Sequence, residues 1–281
     1  MPTDDTRTFA QVDVFTAVPY LGNPVAVVID ADDLTDDAMA RFARWTNLSE
    51  TTFVLPPADT SADYRLRIFT PGGELPFAGH PTLGSAHAWL AAGGWPRNES
   101  ELVQECGAGL VRIRRGTDRL AFAAPPLVRG GPVEADLLDR IVRGLRIDAG
   151  DVVDSAWVDN GPGWTGILLG SAEQVLALEP DWSTLAGLNI GVVGPTADGA
   201  ETAVEVRAFA VGAGLTEDPV TGSLNASLAQ WLTGEGRLPG SYVASQGTRL
   251  HRAGRVHVTT ADGDIWVGGD CVTCITGTVA L

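Results

Sequence analysis

Two segments of this chain repeat one another at a fixed distance, and that repetition restricts the possible folds more than any other feature. PTLGSAHAWLAA, from Pro81, and PVTGSLNASLAQ, from Pro219, superpose at an offset of 138 residues. They share Pro81/Pro219, Gly84/Gly222, Ser85/Ser223, Ala88/Ala226, Leu90/Leu228 and Ala91/Ala229. Upstream the likeness continues loosely, with RIFTPGGELPFAGHP from Arg67 facing RAFAVGAGLTEDP from Arg207. Each copy reads as a strand, a Gly-rich loop, a polar residue, a proline and a small-residue helix. A duplicated unit of this kind predicts two similar lobes, each with a buried central helix. At 281 residues the chain is long enough for both to have a core.

The rest of the chain reads as short strands broken by turns. There are 34 glycines and 17 prolines, and the runs between them are rich in Val, Ile, Thr and Trp, which predicts a strand-rich architecture with few helices. FAQVDVF and VAVVI form a strand pair around the turn signal PYLGNP. Leu34 to Trp45 has helical spacing, with Thr35 placed to cap, Asp36 and Asp37 suited to the positive helix end, and Asn47 as a stop. The pattern pauses at Pro125 and Pro126, so we expect a first lobe over residues 1–126 and a second over 127–269. A terminal strand over 270–281 is expected to return to the first lobe.

Charge and cysteine content narrow the partners. With 19 basic against 35 acidic residues the formal net charge is −16, which argues against nucleic acid and against an anionic membrane surface. An anionic substrate must then be held by local dipoles. Cys106, Cys271 and Cys274 are an odd and sparse set, pointing to a reducing compartment. The amino-terminal MPTDDTRTFA has neither a basic n-region nor an apolar h-region, and no run approaches the ~20 apolar residues of a spanning helix. A soluble, cytoplasmic protein is expected. CVTC at 271–274 lacks a second Cys or His pair, so no metal site is expected and the two thiols read as core residues. No GxGxxG, P-loop or GxSxG motif is present.

Three acidic or basic side chains stand out. Proline suits a first helical turn, which places His80 and Asp218 near N-cap positions, unless regular helix starts only at the Gly-Ser pairs. In either arrangement the unpaired backbone N–H groups around Gly79 and His80, or Gly222 and Ser223, form a cradle for a small anion. An Asp at an N-cap is ordinary and a Gly-Ser pair can serve close packing alone. Two copies led by titratable residues exceed what packing requires. Glu50, in NLSETTFV, opens a strand directly after a helix stop, where strand ends commonly feed clefts. His87, His251 and His257 receive no role.

Taken together, QVDVFTAVPYLGNPVAVV, NLSETTFV, FTPGGELPFAGHPTLGSA and EDPVTGSLNASLAQWL resemble the PhzF phenazine-biosynthesis family, a branch of the diaminopimelate-epimerase-like fold, over almost the entire chain. The resemblance implies an α+β protein of two pseudo-symmetric lobes, each a curled, mainly antiparallel sheet around a central helix, with the active site in the cleft between them. It further implies Glu50 as the general acid/base, with His80 and Asp218 completing the catalytic set by helping to bind the substrate and tune protons. The substrate-binding set is then Gly79, Gly222, Ser223, Ser49 and Asn23, with the backbone N–H groups of Gly79, His80, Gly222 and Ser223 holding a carboxylate.

The implied chemistry is a hydrogen shift of the kind that isomerises trans-2,3-dihydro-3-hydroxyanthranilate, without metal or organic cofactor. The implied assembly is a homodimer. Related epimerases use one cysteine from each lobe, whereas the corresponding loops here read AGHP and EDPVTGS, which disfavours a two-thiol racemase. An epimerase on the same fold and a catalytically silent binding protein are the rival expectations. Asp270 in WVGGDCVTC and the stretch TRLHRAGR depart from the family's wording and bear on substrate choice.

Overall fold

The computed structural model describes residues 6–117 and 119–281, so the first five residues of the amino-terminal stretch lie outside it. Two units emerge: the described residues up to Ala123 together with Gly268–Leu281, and Ala124–Val267.

In the first unit the elements are β1 (Thr6–Val14), β2 (Asn23–Val28), α1 (Asp36–Thr46), β3 (Glu50–Leu55), β4 (Tyr64–Thr70), β5 (Gly73–Leu75), α2 (Gly79–Ala91), β6 (Glu101–Cys106), β7 (Gly109–Arg115) and β8 (Leu120–Ala123). The second unit contains β9 (Arg129–Pro132), α3 (Ala135–Leu145), β10 (Val152–Asp159), β11 (Trp164–Leu169), α4 (Ala172–Ala177), β12 (Asn189–Pro195), β13 (Val204–Ala210), α5 (Gly222–Gly234), β14 (Ser241–Gln246) and β15 (Gly254–Ala261). The chain then runs through β16 (Asp264–Gly269) into β17 (Cys271–Ala280), which lies antiparallel to β1.

One strand order is used twice. β1 is antiparallel to β2, β2 parallel to β3, β3 antiparallel to β4, β4 parallel to β6 and β6 antiparallel to β7. In the second unit β10, β11, β12, β13, β14 and β15 follow the same succession of antiparallel and parallel steps. The parallel steps need crossovers. α1 makes the one from β2 to β3 and α2 the one from β4 to β6, and α4 and α5 do the same in the second unit.

α2 and α5 are the repeated segments, and both are buried along most of their length. α2 touches β1, β2, β3, β4, β8 and β17, so the sheet of its unit curls around it. Small residues make that possible: a Cβ added at Gly84 would sit 2.4 Å from Val25 Cγ1. A helix with no polar face belongs inside a core, which explains why this segment carries no amphipathic stripe.

The outer faces are covered by ordinary amphipathic helices. α1 buries Met39, Phe42 and Ala43 against Val28, Phe53 and Phe69. Its ends are those predicted, with Thr35 Oγ1 accepting from Ala38 N–H at 3.2 Å and Asn47 left-handed at the stop. In the second unit Ile141 and Leu145 of α3 and Val175 of α4 pack on Ile167, Ile190, Val192 and Phe209. Cys271 and Cys274 are half-buried on β17 rather than core residues, because that strand lies toward the edge of its unit, with 275–278 exposed.

Candidate active site

In the first unit the site is assembled by β2, β3 and the start of α2. The parallel register sets Val25 beside Glu50, so Glu50 opens β3 close to the place where Asn23 opens β2. The turn signal GNP has a more specific use than chain reversal. Asp13 Oδ2 accepts from Gly22 N–H at 2.9 Å, and a Cβ on Gly22 would lie 2.2 Å from the Val14 carbonyl oxygen. Only glycine allows that approach, and it delivers Asn23, fully buried, to the site.

His80 is the second residue of α2, behind an N-cap at Ala78 that offers no side-chain bond. Its Nε2 lies 3.3 Å from Glu50 Oε2, and its Nδ1 lies 3.3 Å from Asn23 Nδ2. Burial pushes the imidazole down to about 3, partly offset by a hydrogen bond to the Pro24 backbone. The ring is therefore neutral at neutral pH, and its approach to Glu50 is a close contact of two buried side chains rather than an ion pair. Deeper in the helix, Ser85 meets Thr52 Oγ1 at 2.8 Å, and Gln104 donates to Thr82 Oγ1 at 3.1 Å while accepting from Tyr64.

The second unit builds a different helix entrance. α5 begins at Gly222 behind the N-cap Thr221. The two placements open from sequence are thus each realised once: Pro81 sits in the first turn of α2, whereas Pro219 precedes α5. Asp218 lies three residues ahead of that N-cap. Its Oδ2 accepts from the Thr221 hydroxyl at 2.5 Å, and its N–H donates to Ala208. Gln246 holds the same turn, donating to Asp218 O and Thr221 Oγ1 and accepting from Thr221 N–H and the Asn225 amide.

Among the other expected binding residues, Gly79 is buried as the first residue of α2, and Ser49 is half-buried directly before β3. Ser223 accepts from the Trp164 indole through Oγ at 3.2 Å, while its carbonyl accepts from Asn160. The first-turn N–H groups at Gly79 and His80, and at Gly222 and Ser223, have no carbonyl partner within their helices.

Sequence reasoning missed two sets. Gln104 and Gln246 occupy corresponding strands and reach the fourth residue of their central helices, Thr82 and Asn225. Arg67 and Arg207, which face each other in the loose repeat, each form a two-bond contact with a downstream glutamate, Glu74 and Glu217. Each guanidinium also lies over the phenylalanine two residues on, at 5.1 and 4.9 Å. The signal was the Arg67/Arg207 match itself, which marks a duplicated anchor leading into each helix entrance.

Comparison with known proteins agrees with this duplicated architecture. The PhzC-PhzF profile, described as phenazine biosynthesis-like protein, matches residues 12–277. Antisense-enhancing sequence 1 of Schizosaccharomyces pombe is 36% identical over 96% of this chain and 98% of its own length. The trans-2,3-dihydro-3-hydroxyanthranilate isomerase of Pseudomonas fluorescens is 34% identical over 83% of this chain and 82% of its own. A PhzF-family crystal structure from Enterococcus faecalis matches with a TM-score of 0.81 over 98% of this chain and all of that one, at 23% identity, which speaks for the fold alone. By sequence, repeat and strand order alike, the chain belongs to the phenazine biosynthesis-like PhzC-PhzF family.

Proposed function

We propose that this chain is a cofactor-independent isomerase that shifts a proton within a small carboxylated, cyclic or unsaturated amino-acid-like metabolite similar to trans-2,3-dihydro-3-hydroxyanthranilate. The observation that carries the reading is the buried contact between Glu50 and a neutral His80. Relatives named as isomerases of that compound support it.

Glu50 as carboxylate removes a proton from a carbon next to a conjugated system, and the electron pair of that C–H bond passes into the conjugation. The resulting carboxylic acid returns the proton at a distant carbon, so the enzyme ends as it began. His80 orients the carboxylate and, being neutral, does not compete for the transferred proton. Asp218 is the third member of the catalytic set. The first-turn N–H groups of α2 and α5 are the donors assigned to the substrate carboxylate, in keeping with a surface of net charge −16 that offers little cationic help. Ser49, Ser223 and Asn23 complete the binding set, Asn23 through its hold on His80. We place the enzyme in the cytoplasm as a homodimer. No described helix is long and apolar enough to cross a membrane.

Incubation with trans-2,3-dihydro-3-hydroxyanthranilate in deuterated water tests the assignment. Wild-type protein is expected to convert it with solvent deuterium entering the product, and Glu50→Gln to slow conversion by at least about 100-fold. Unchanged substrate, or equal turnover by the variant, overturns it.

A further inference from the structure

We infer that Gln246 is a positioning residue that acts on Asp218 through the hydroxyl of Thr221. The inference rests on the reading above in taking Asp218 as part of the catalytic set. All members of the network are buried and lie within one unit.

The direction of each bond follows from the donor inventory. Gln246 Oε1 accepts from Thr221 N–H at 3.0 Å and from Asn225 Nδ2 at 2.8 Å. Its oxygen is thereby identified, since two donors face it, and the other atom must be the amide nitrogen. That nitrogen lies 3.1 Å from Asp218 O and 3.0 Å from Thr221 Oγ1. Thr221 Oγ1 therefore receives one proton from Gln246 and has a single proton of its own to give. Its partner for that proton is Asp218 Oδ2, at 2.5 Å.

The result is a one-way relay from the Gln246 amide through the Thr221 hydroxyl to the Asp218 carboxylate. A hydroxyl with a choice of partners would rotate. One held by a buried amide cannot, so the Asp218 carboxylate is held in one rotamer through its Oδ2.

The corresponding glutamine of the first unit shows that the relay is more than a packing requirement of the fold. Gln104 also reaches a threonine hydroxyl at a helix start, but Thr82 is two residues beyond His80 in the same helix, and no Thr82 bond to His80 accompanies it. Only in the second unit does the chain place the hydroxyl between the glutamine and an acid. Thr221 and Asn225 lie in the repeat and Gln246 ends β14, and none of the three has a role assigned from sequence.

Gln246→Glu tests it by replacing the NH2 donor with a carboxylate oxygen, and Thr221→Val serves as the partner test that adds no charge. The acceptor for Thr221 N–H and Asn225 survives, while the donor that sets the Thr221 hydroxyl is lost. We expect kcat to fall roughly 10- to 100-fold, the range for losing a hydrogen bond to a charged group, with KM changed by less than about threefold because ground-state binding is not the target. Thr221→Val should produce the same loss, Thr221→Ser should restore most of the activity, and the Gln246→Glu/Thr221→Val double variant should lose no more than either alone. Thr221→Val carries the test by itself if Gln246→Glu does not fold. A readout without turnover separates this inference from the reading beneath it: the 13C resonance of the Asp218 carboxyl, assigned by its loss in Asp218→Asn. It should move in Gln246→Glu and Thr221→Val and stay in Thr221→Ser. An unmoved resonance in the folded variants, or losses in kcat that multiply in the double variant, overturns the positioning role. Normal turnover by Asp218→Asn alongside a moved resonance would instead sink only the catalytic assignment of Asp218.

Discussion

His80 is the residue whose environment most departs from what its chemistry prefers. An imidazole that titrates near 6.5 in water is held to about 3 by burial, so between those values the unfolded chain binds a proton that the folded protein refuses. Stability therefore rises with pH across that window, is complete above about 6.5, and is lost as pH falls toward 3. Over the step from pH 6.5 to 5 the loss attributable to this one group is at most about 2 kcal/mol, and any negative charge on Glu50 reduces it by favouring the imidazolium. Urea unfolding at the two pH values, repeated with His80→Gln, measures it: the variant should lose less stability over the same step, and an identical loss would mean that His80 does not titrate with folding. At this scale the sequence singles out ionisable groups and is silent about the side chains that surround them. His80 and Asp218 stand out because packing does not demand ionisable residues ahead of the two repeated helices, and Glu50 because it opens a strand directly after a helix stop. Asn23 reads only as part of a turn signal, since nothing in GNP reveals that the asparagine side chain turns inward to a histidine 57 residues away.

Element by element, the small residues of the central helices carry the fold. Gly84 is the sharpest case, because the atoms a Cβ would strike belong to β-branched Val25 and Val14, at 2.4 and 3.0 Å, whose rotamers are fixed in the strands. At Gly191 the nearest atom is a terminal methyl of Leu224, at 2.2 Å, on a side chain with more ways to yield. Gly84→Ala is accordingly expected to cost about 1–3 kcal/mol despite alanine's better helix propensity, and Gly191→Ala less. Thermal denaturation of the two variants decides this, and equal or reversed losses would contradict the packing argument. The shared Gly-Ser pair exposed the two helices in the sequence but not where each begins. α2 starts five residues earlier in the repeat than α5 does, because Ala78 supplies an extended N-cap just ahead of Gly79, whereas the turn of Asp218 to Thr221 is tied down by Gln246 and cannot join the helix. That difference depends on a strand residue remote in sequence, which no local pattern reports.

At the scale of the whole molecule, one design has been copied and its copies have been used differently. The order of parallel and antiparallel steps is the same in both units, yet only the repeat, and not the strand patterns, pointed to it. Alternation tells which face a residue takes and not which strand lies alongside. The duplicated arginine anchors show how the copies have diverged. Arg207 and Glu217 are 5% and 7% exposed, and Arg207 also donates to the carbonyls of Val175 and Leu178. Arg67 and Glu74 are 16% and 43% exposed, with Asp36 as a further surface partner. Removing the buried cation strands a glutamate away from water directly beside Asp218, whereas removing the outer one leaves its acids in solvent. Arg207→Ala should therefore cost about 3–5 kcal/mol and Arg67→Ala about 1 kcal/mol or less from the ion pairs themselves. Urea denaturation of both variants, with a rise in salt to 1 M, separates the terms. Salt should abolish the small Arg67 effect and spare most of the Arg207 effect, since screening reaches surface charges and not a pair enclosed by β13, α4 and the Asp218 turn. Equal costs at the two sites would mean that burial does not distinguish the copies, and the second entrance would then owe its rigidity to the Gln246 network alone.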